Sequence, residues 1–208
     1  MDYVKKIVLV TAFLLLLATA LTVPFVYESQ TLWYKIGLDK TILRAGQLAG
    51  MFALTLLFSQ IVLAVGGPFL VQAFGLKNIM SWHRTNGVLI VFFAGVHVLL
   101  ILVPEGLANL PIGKKYWPEM VGSLLLWILV ATVIASRYRE KLKLDYKRWR
   151  AIHKPLGYFT VFLVLIHVLY VSDSFSGGVP KIVLLVTAMA LLTRVVWVKF
   201  WLQRRNKK

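Results

Sequence analysis

The stretch Trp149–Tyr170, WRAIHKPLGYFTVFLVLIHVLY, sets two histidines, His153 and His167, into an apolar run. They are fourteen residues apart. At about 100° per residue, fourteen steps end about 40° short of four turns, so on a helix both imidazoles share one face. The rise is about 21 Å, most of the depth of a hydrocarbon core. An earlier stretch, Trp82–Leu100, WHRTNGVLIVFFAGVHVLL, repeats the layout with His83 and His97, again fourteen apart. These are the 4 histidines of the chain. Two such helices side by side would make two facing pairs of imidazoles at two depths of a membrane.

Composition sets the outer limits. Of the 208 residues, 59% are hydrophobic, and long apolar runs point to a polytopic membrane protein. The net charge of +16 would suggest nucleic acid in a soluble chain. Here the positive-inside rule accounts for it, and no nucleic-acid partner is expected. There is no cysteine, which excludes disulfides, thiolate-held iron–sulfur clusters and thioether-linked haem. No GxGxxG or GxxxxGK[ST] motif occurs, and no connecting segment is long enough for a nucleotide-binding domain.

Six membrane helices are expected, at about 7–26, 43–65, 82–103, 119–136, 153–171 and 180–202, forming one transmembrane domain over 1–208. Ala18-Thr19-Ala20 looks like a signal-peptidase site, but the apolar run continues past it, so the first helix is expected to be retained. The segment 27–42 reads as a polar, aromatic loop, and 69–81 as a connector with a short amphipathic element. Gly66-Gly67-Pro68 and Pro104 read as helix stops. Gly46 and Gly50 form a small-xxx-small face that lets a neighbouring helix or a flat ligand approach.

Orientation follows from the basic residues. Lys5, Lys6, Lys77, Arg84, the Lys and Arg residues from Arg137 to Lys154 and those from Arg194 to Lys208 fall on one side. Only Lys35, Lys40, Arg44, Lys114, Lys115 and Lys181 fall on the other. Both termini are therefore expected in the cytoplasm, in a multi-pass protein of the cytoplasmic (inner) membrane with the lipid bilayer as its first partner. The third and fifth spans then run outward together. His83 and His153 lie at the cytoplasmic face, and His97 and His167 toward the outside.

A histidine in a bilayer is costly and needs a partner. Two imidazoles alone are too few for a closed zinc site. They are the number an iron porphyrin needs on its two faces, with apolar walls around it. The expected fold is thus an all-α integral membrane bundle with two b-type haems stacked between the third and fifth spans. His83 with His153 would hold the inner iron, and His97 with His167 the outer. Gly87 and Gly157, each one turn from an inner histidine, leave room for a porphyrin plane, as Gly46 and Gly95 would near the outer site. Arg84, Arg150 and Lys154 flank the inner ligands and read either as propionate partners or as ordinary cytoplasmic-side charges. Arg44 reads either as a snorkelling anchor or as a functional group. Phe92, Phe93, Phe159 and Phe162 occupy the depth between the sites. A proton-transport reading lacks support, because the sequence shows neither a discontinuous helix nor a membrane-embedded carboxylate.

WHRTNGVLIVFFAGVH and WRAIHKPLGYFTVFLVLIH, with ILRAGQLAG opening the second span and FGLKNIMSWHR leading into the third, resemble the ferric reductase-like transmembrane domain. That domain is shared by ferric reductases and NADPH oxidases, and the resemblance covers about residues 40–205. It implies the haem-binding membrane component of an oxidoreductase. Electrons would pass from cytoplasmic NAD(P)H through FAD and two haems to an extracytoplasmic acceptor: ferric iron, oxygen or a redox protein. It also implies a place for Arg44 over the outer haem, at an acceptor site. Ile101 stands where the oxidases carry a further histidine. The flavin and NAD(P)H are expected on a separate reductase subunit or on a domain outside this sequence. The alternative is the quinol-linked haem subunit of a periplasmic methionine sulfoxide reductase system.

Overall fold

A computed structural model describes residues 2–106 and 110–205. Its helices are α1 (Asp2–Val26), α2 (Gln30–Trp33), α3 (Gly37–Val65), α4 (Pro68–Phe74), α5 (Leu76–Glu105), α6 (Trp117–Arg137), α7 (Tyr146–Val171) and α8 (Gly178–Arg205). Among the described residues, six helices are long and apolar enough to cross a membrane: α1, α3, α5, α6, α7 and α8. The chain is an all-helical membrane protein. Lys207 and Lys208, counted above among the basic residues of the tail, lie outside the described residues.

The six spans stand where the hydropathy puts them, and all of them begin earlier than expected. α3 starts at Gly37, whose φ of 58° suits glycine, so the last six residues of the expected loop 27–42 are helix, and α2 takes four more. α5 starts at Leu76, directly after Gly75 (φ 77°). The expected connector therefore divides into a two-turn helix, α4, and the first turns of α5. Pro104 does not stop α5; Gly106 does, in a left-handed conformation with its N–H on the Leu102 carbonyl at 3.0 Å. α7 gains two turns at its start because Asp145 caps it. The Asp145 carboxylate accepts from the backbone N–H groups of Lys147 (2.9 Å) and Arg148 (3.3 Å). Both histidine pairs thus lie within unbroken helices.

α3 and α5 form the most extensive seam, and α6 and α7 the next. In the first, Gly46 faces Leu100 and Ile101, Gly50 faces His97, and Gln60 bonds His83. The register is antiparallel along the whole length. A Cβ on Gly46 would stand 3.1 Å from Leu100 Cβ and Ile101 Cδ1. The expected close approach at this small-residue face is therefore made by a helix, α5, and Gly46 leaves no room there for a porphyrin. α5 and α7 are not among the closely packed pairs of the described residues.

Midway between the histidines of each helix, on the same face, stand Ile90 (2% exposed) and Thr160 (4%). Ile90 belongs to an apolar core with Leu54, Leu57, Phe58, Leu125, Leu163 and Val164. Of the four phenylalanines at this depth, Phe93 packs inward, with its ring 4.6 Å from that of Phe52. Phe92, Phe159 and Phe162 are exposed.

Candidate functional site

The four histidines meet in two pairs across the α5–α7 gap. The ring centroids of His83 and His153 are 6.2 Å apart, and those of His97 and His167 are 6.4 Å apart. Both pairs are nearly perpendicular, at 75° and 80°. These separations can be compared with what a shared iron requires. Metal–imidazole bonds of about 2 Å, with about 1.1 Å more from nitrogen to ring centre on each side, put two axial imidazole centroids about 6.3 Å apart. Among the described residues no group of three or more His, Cys, Asp or Glu gathers to hold a bare metal ion. Two imidazoles per level, without a third ligand, fit an axial pair.

The His97–His167 pair, expected toward the outside, is firmly built. His97 Nδ1 lies 2.8 Å from the Gly46 carbonyl on α3, and His167 Nδ1 lies 3.0 Å from the Pro118 carbonyl on α6. A carbonyl only accepts, so each Nδ1 carries the proton and each Nε2 keeps its lone pair for another partner. A glycine backs each ring. A Cβ on Gly50 would fall 2.8 Å from His97 Nδ1, and one on Gly122 would fall 2.5 Å from His167 Cε1.

The inner pair is built differently. His83 Nδ1 and His153 Nδ1 are buried without a hydrogen-bond partner. Gln60 on α3 donates from Nε2 to the His83 backbone carbonyl at 2.9 Å and lies 3.4 Å from His83 Nε2. Buried Asn86 orients it, donating to Gln60 Oε1 at 2.7 Å and to the Leu56 carbonyl at 2.9 Å. Trp149 stacks on His153, with centroids 4.6 Å apart and planes at 21°.

The other residues singled out from the sequence fall around these pairs. A Cβ on Gly157 would meet nothing within 4 Å, so open space adjoins the inner pair there. The same holds for Gly95. Gly87 instead faces α3, where a Cβ would touch Gln60 at 3.4 Å. Arg84, Arg150 and Lys154 are exposed. Arg44 lies two residues from the Gly46 carbonyl that holds His97. Its guanidinium donates to the Pro24 carbonyl at 2.6 Å, pairs with Glu28, and lies over the Phe25 ring at 4.9 Å. Lys40 joins the same carboxylate at 3.2 Å.

Glu28→Ala is expected to strand Arg44 at a partly buried position. That should cost about 1–2 kcal/mol, between the values for exposed and buried pairs. Thermal unfolding in detergent would show it as a lowered Tm. Lys40→Ala, which removes the more exposed arm, should have the smaller effect.

Several of these groups escape the sequence reading. Glu28, Gln60, Asn86 and Trp149 carry no spacing signal of their own. Gly122 has one: it is the single glycine of α6, five residues in from its start, at the depth His167 holds on antiparallel α7. Glu119, which opens the fourth expected span, has its Oε2 buried without a hydrogen-bond partner in the first turn of α6.

No curated protein and no solved structure matches this chain. The family model described as "Ferric reductase like transmembrane component" matches residues 49–164, more than half of the sequence. His83, His97 and His153 fall within the matched segment, and His167 lies three residues beyond it. The chain belongs to the ferric reductase-like transmembrane family.

Proposed function

We propose that this protein carries electrons across its membrane through two b-type haems, each held by one histidine of α5 and one of α7. The observation that carries the reading is the pair of ring separations, 6.2 and 6.4 Å, at two levels about 21 Å apart. When bound, each haem supplies a one-electron ferric/ferrous couple.

The chain's own residues do the rest. His83 and His153 would hold the inner haem, and His97 and His167 the outer. The Gly46 and Pro118 carbonyls fix the outer imidazoles in the tautomer that leaves Nε2 free. The open space at Gly157 would leave room for the inner haem. Gly87 acts by letting α3 approach His83. Arg84, Arg150 and Lys154 would pair with the inner propionates. The apolar core around Ile90 keeps water and ions out of the space between the two levels.

The basic ends give the direction. With Lys5, Lys6 and the α6–α7 segment in the cytoplasm, both termini are inside, and electrons enter at the His83–His153 level. The donor is a flavin reductase domain or subunit that draws on NAD(P)H. The acceptor, ferric iron, oxygen or a redox protein, approaches from outside, near Arg44. With Glu28 and Lys40, Arg44 forms a charged rim that an anionic or polar acceptor would meet first.

The test is an absorption spectrum of the purified protein before and after dithionite, with a pyridine haemochrome assay. Two haems per chain, low-spin and reducible, are expected. A colourless protein, or one with a single haem, would refute the assignment.

A further inference from the structure

The two histidine helices are built alike. α5 and α7 each begin seven residues before their first histidine and carry the second fourteen residues further on. The helices behind them match as well. A carbonyl holds the second imidazole, at Gly46 on α3 and at Pro118 on α6, and a glycine four residues later backs the ring. The likeness fails at one place. Four residues before His83 stands Ile79, which is fully buried. Four residues before His153 stands Trp149, half-buried, with its ring stacked on the imidazole. We propose that Trp149 is the relay through which electrons enter the His83–His153 level, on the α7 side and not the α5 side; this rests on the two-haem reading above.

Trp149 is the middle of a ladder. Tyr146, Trp149 and His153 are spaced by three and four residues, so they line one face of α7. The ring centroids of Tyr146 and Trp149 are 5.7 Å apart with planes at 31°, and those of Trp149 and His153 are 4.6 Å apart at 21°. Both separations are those of interacting aromatic pairs. Tyr146 is 52% exposed, so the rings run from the protein surface to a histidine with no aliphatic gap. On α5 the matching positions are aliphatic, Leu76 and Ile79. Trp82 adjoins His83 in sequence but packs edge-on against Phe74, 4.9 Å away.

The transfer balances without chemistry on the ladder. The donor loses one electron and the ferric iron gains it; no bond forms or breaks. Trp149 is neither oxidised nor reduced, and its overlapping ring couples the two. The charges at the exposed end fit a donor that carries a phosphate, such as a reduced flavin nucleotide. Arg139 lies over Tyr146 at 5.7 Å, and Lys141, Lys143, Lys147 and Arg148 are exposed in the same segment. The acids there are occupied, Glu140 with Arg139 and Asp145 as the cap of α7. The segment is left strongly positive.

The experiment is stopped-flow reduction of inside-out membrane vesicles that hold the haem-loaded protein, with reduced FMN added outside. Trp149→Leu should slow haem reduction by about tenfold or more, the usual loss when an outer-sphere partner of a metal ligand is removed. Its haem content in the haemochrome assay and its oxidised low-spin spectrum should stay those of the wild type. A residue that only props His153 would move those two instead. Trp149→Phe, which keeps a stacking ring, should keep most of the rate. Tyr146→Leu, one ring further from the histidine, should slow the same reduction by a smaller factor. Trp82→Leu removes a tryptophan from the α5 side and should leave the rate unchanged. A Trp149→Leu or Tyr146→Leu protein reduced at the wild-type rate, a Trp149→Leu protein that has lost a haem, or equal slowing by Trp82→Leu would overturn the inference and leave the two-haem reading standing. Fewer than two haems in the wild-type protein would overturn both.

Discussion

Leucine at position 97 should cost the protein one of its two haems and end electron flow across the membrane, while the remaining haem still accepts an electron from the cytoplasmic side. Leucine fills much of the imidazole's volume but has no lone pair, so His167 is left as a single axial ligand. The structural cost is small by comparison. The Gly46 carbonyl loses its donor, and Gly50 gains a softer neighbour. The bundle should therefore persist, and the loss should be local. The haemochrome assay should fall from two haems per chain to one. In proteoliposomes with reductant inside and an impermeant acceptor outside, the rate should drop to that of protein-free vesicles. An unchanged haem content would show that His97 is not a ligand.

The second large effect needs no change to any histidine. Alanine at Gly122 would place a Cβ 2.5 Å from His167 Cε1 and 2.6 Å from Nδ1. No real pair of atoms tolerates that, and the ring cannot simply rotate, because its Nδ1 is held by Pro118. Either the imidazole leaves its place or α6 and α7 move apart, at about 1–3 kcal/mol of overpacking. Loss of the outer haem is expected in either case, with the inner one retained. Gly177→Ala is the matched control. It adds the same methyl group away from both histidine levels and meets nothing within 4 Å. It should keep both haems. Equal haem content in the Gly122→Ala and Gly177→Ala proteins would refute the role of Gly122.

The sequence states the spans and their chemistry with some clarity. Apolar runs of membrane length are hard to misread, and a spacing of fourteen places His83 with His97, and His153 with His167, on single helix faces whatever the tertiary arrangement. The helix starts were less legible. Asp145 lies within the most basic stretch of the chain, where charge hides a cap, and Gly37 and Gly75 look like loop residues until their φ angles are known. Least legible were the groups that hold the histidines. Gly46, Gly50 and Gln60 act on α5 from 23 to 51 residues away, and Pro118 and Gly122 act on His167 from α6. Such partners are fixed by the register between antiparallel helices, which no pattern within one helix encodes. Gly46 illustrates the ambiguity: a small residue in a membrane helix admits either a ligand or a helix, and only the position of Ile101 decides between them.

α5 and α7 stand apart, each leaning on a different neighbour, with histidines as their meeting points. Between the two levels they share one apolar core with α3 and α6. On the two-haem reading, a newly inserted polypeptide that has not yet acquired porphyrin would keep that mid-depth core and loosen at the two histidine levels, open there to quality-control proteases. Its abundance in a cell would track haem supply rather than transcription alone.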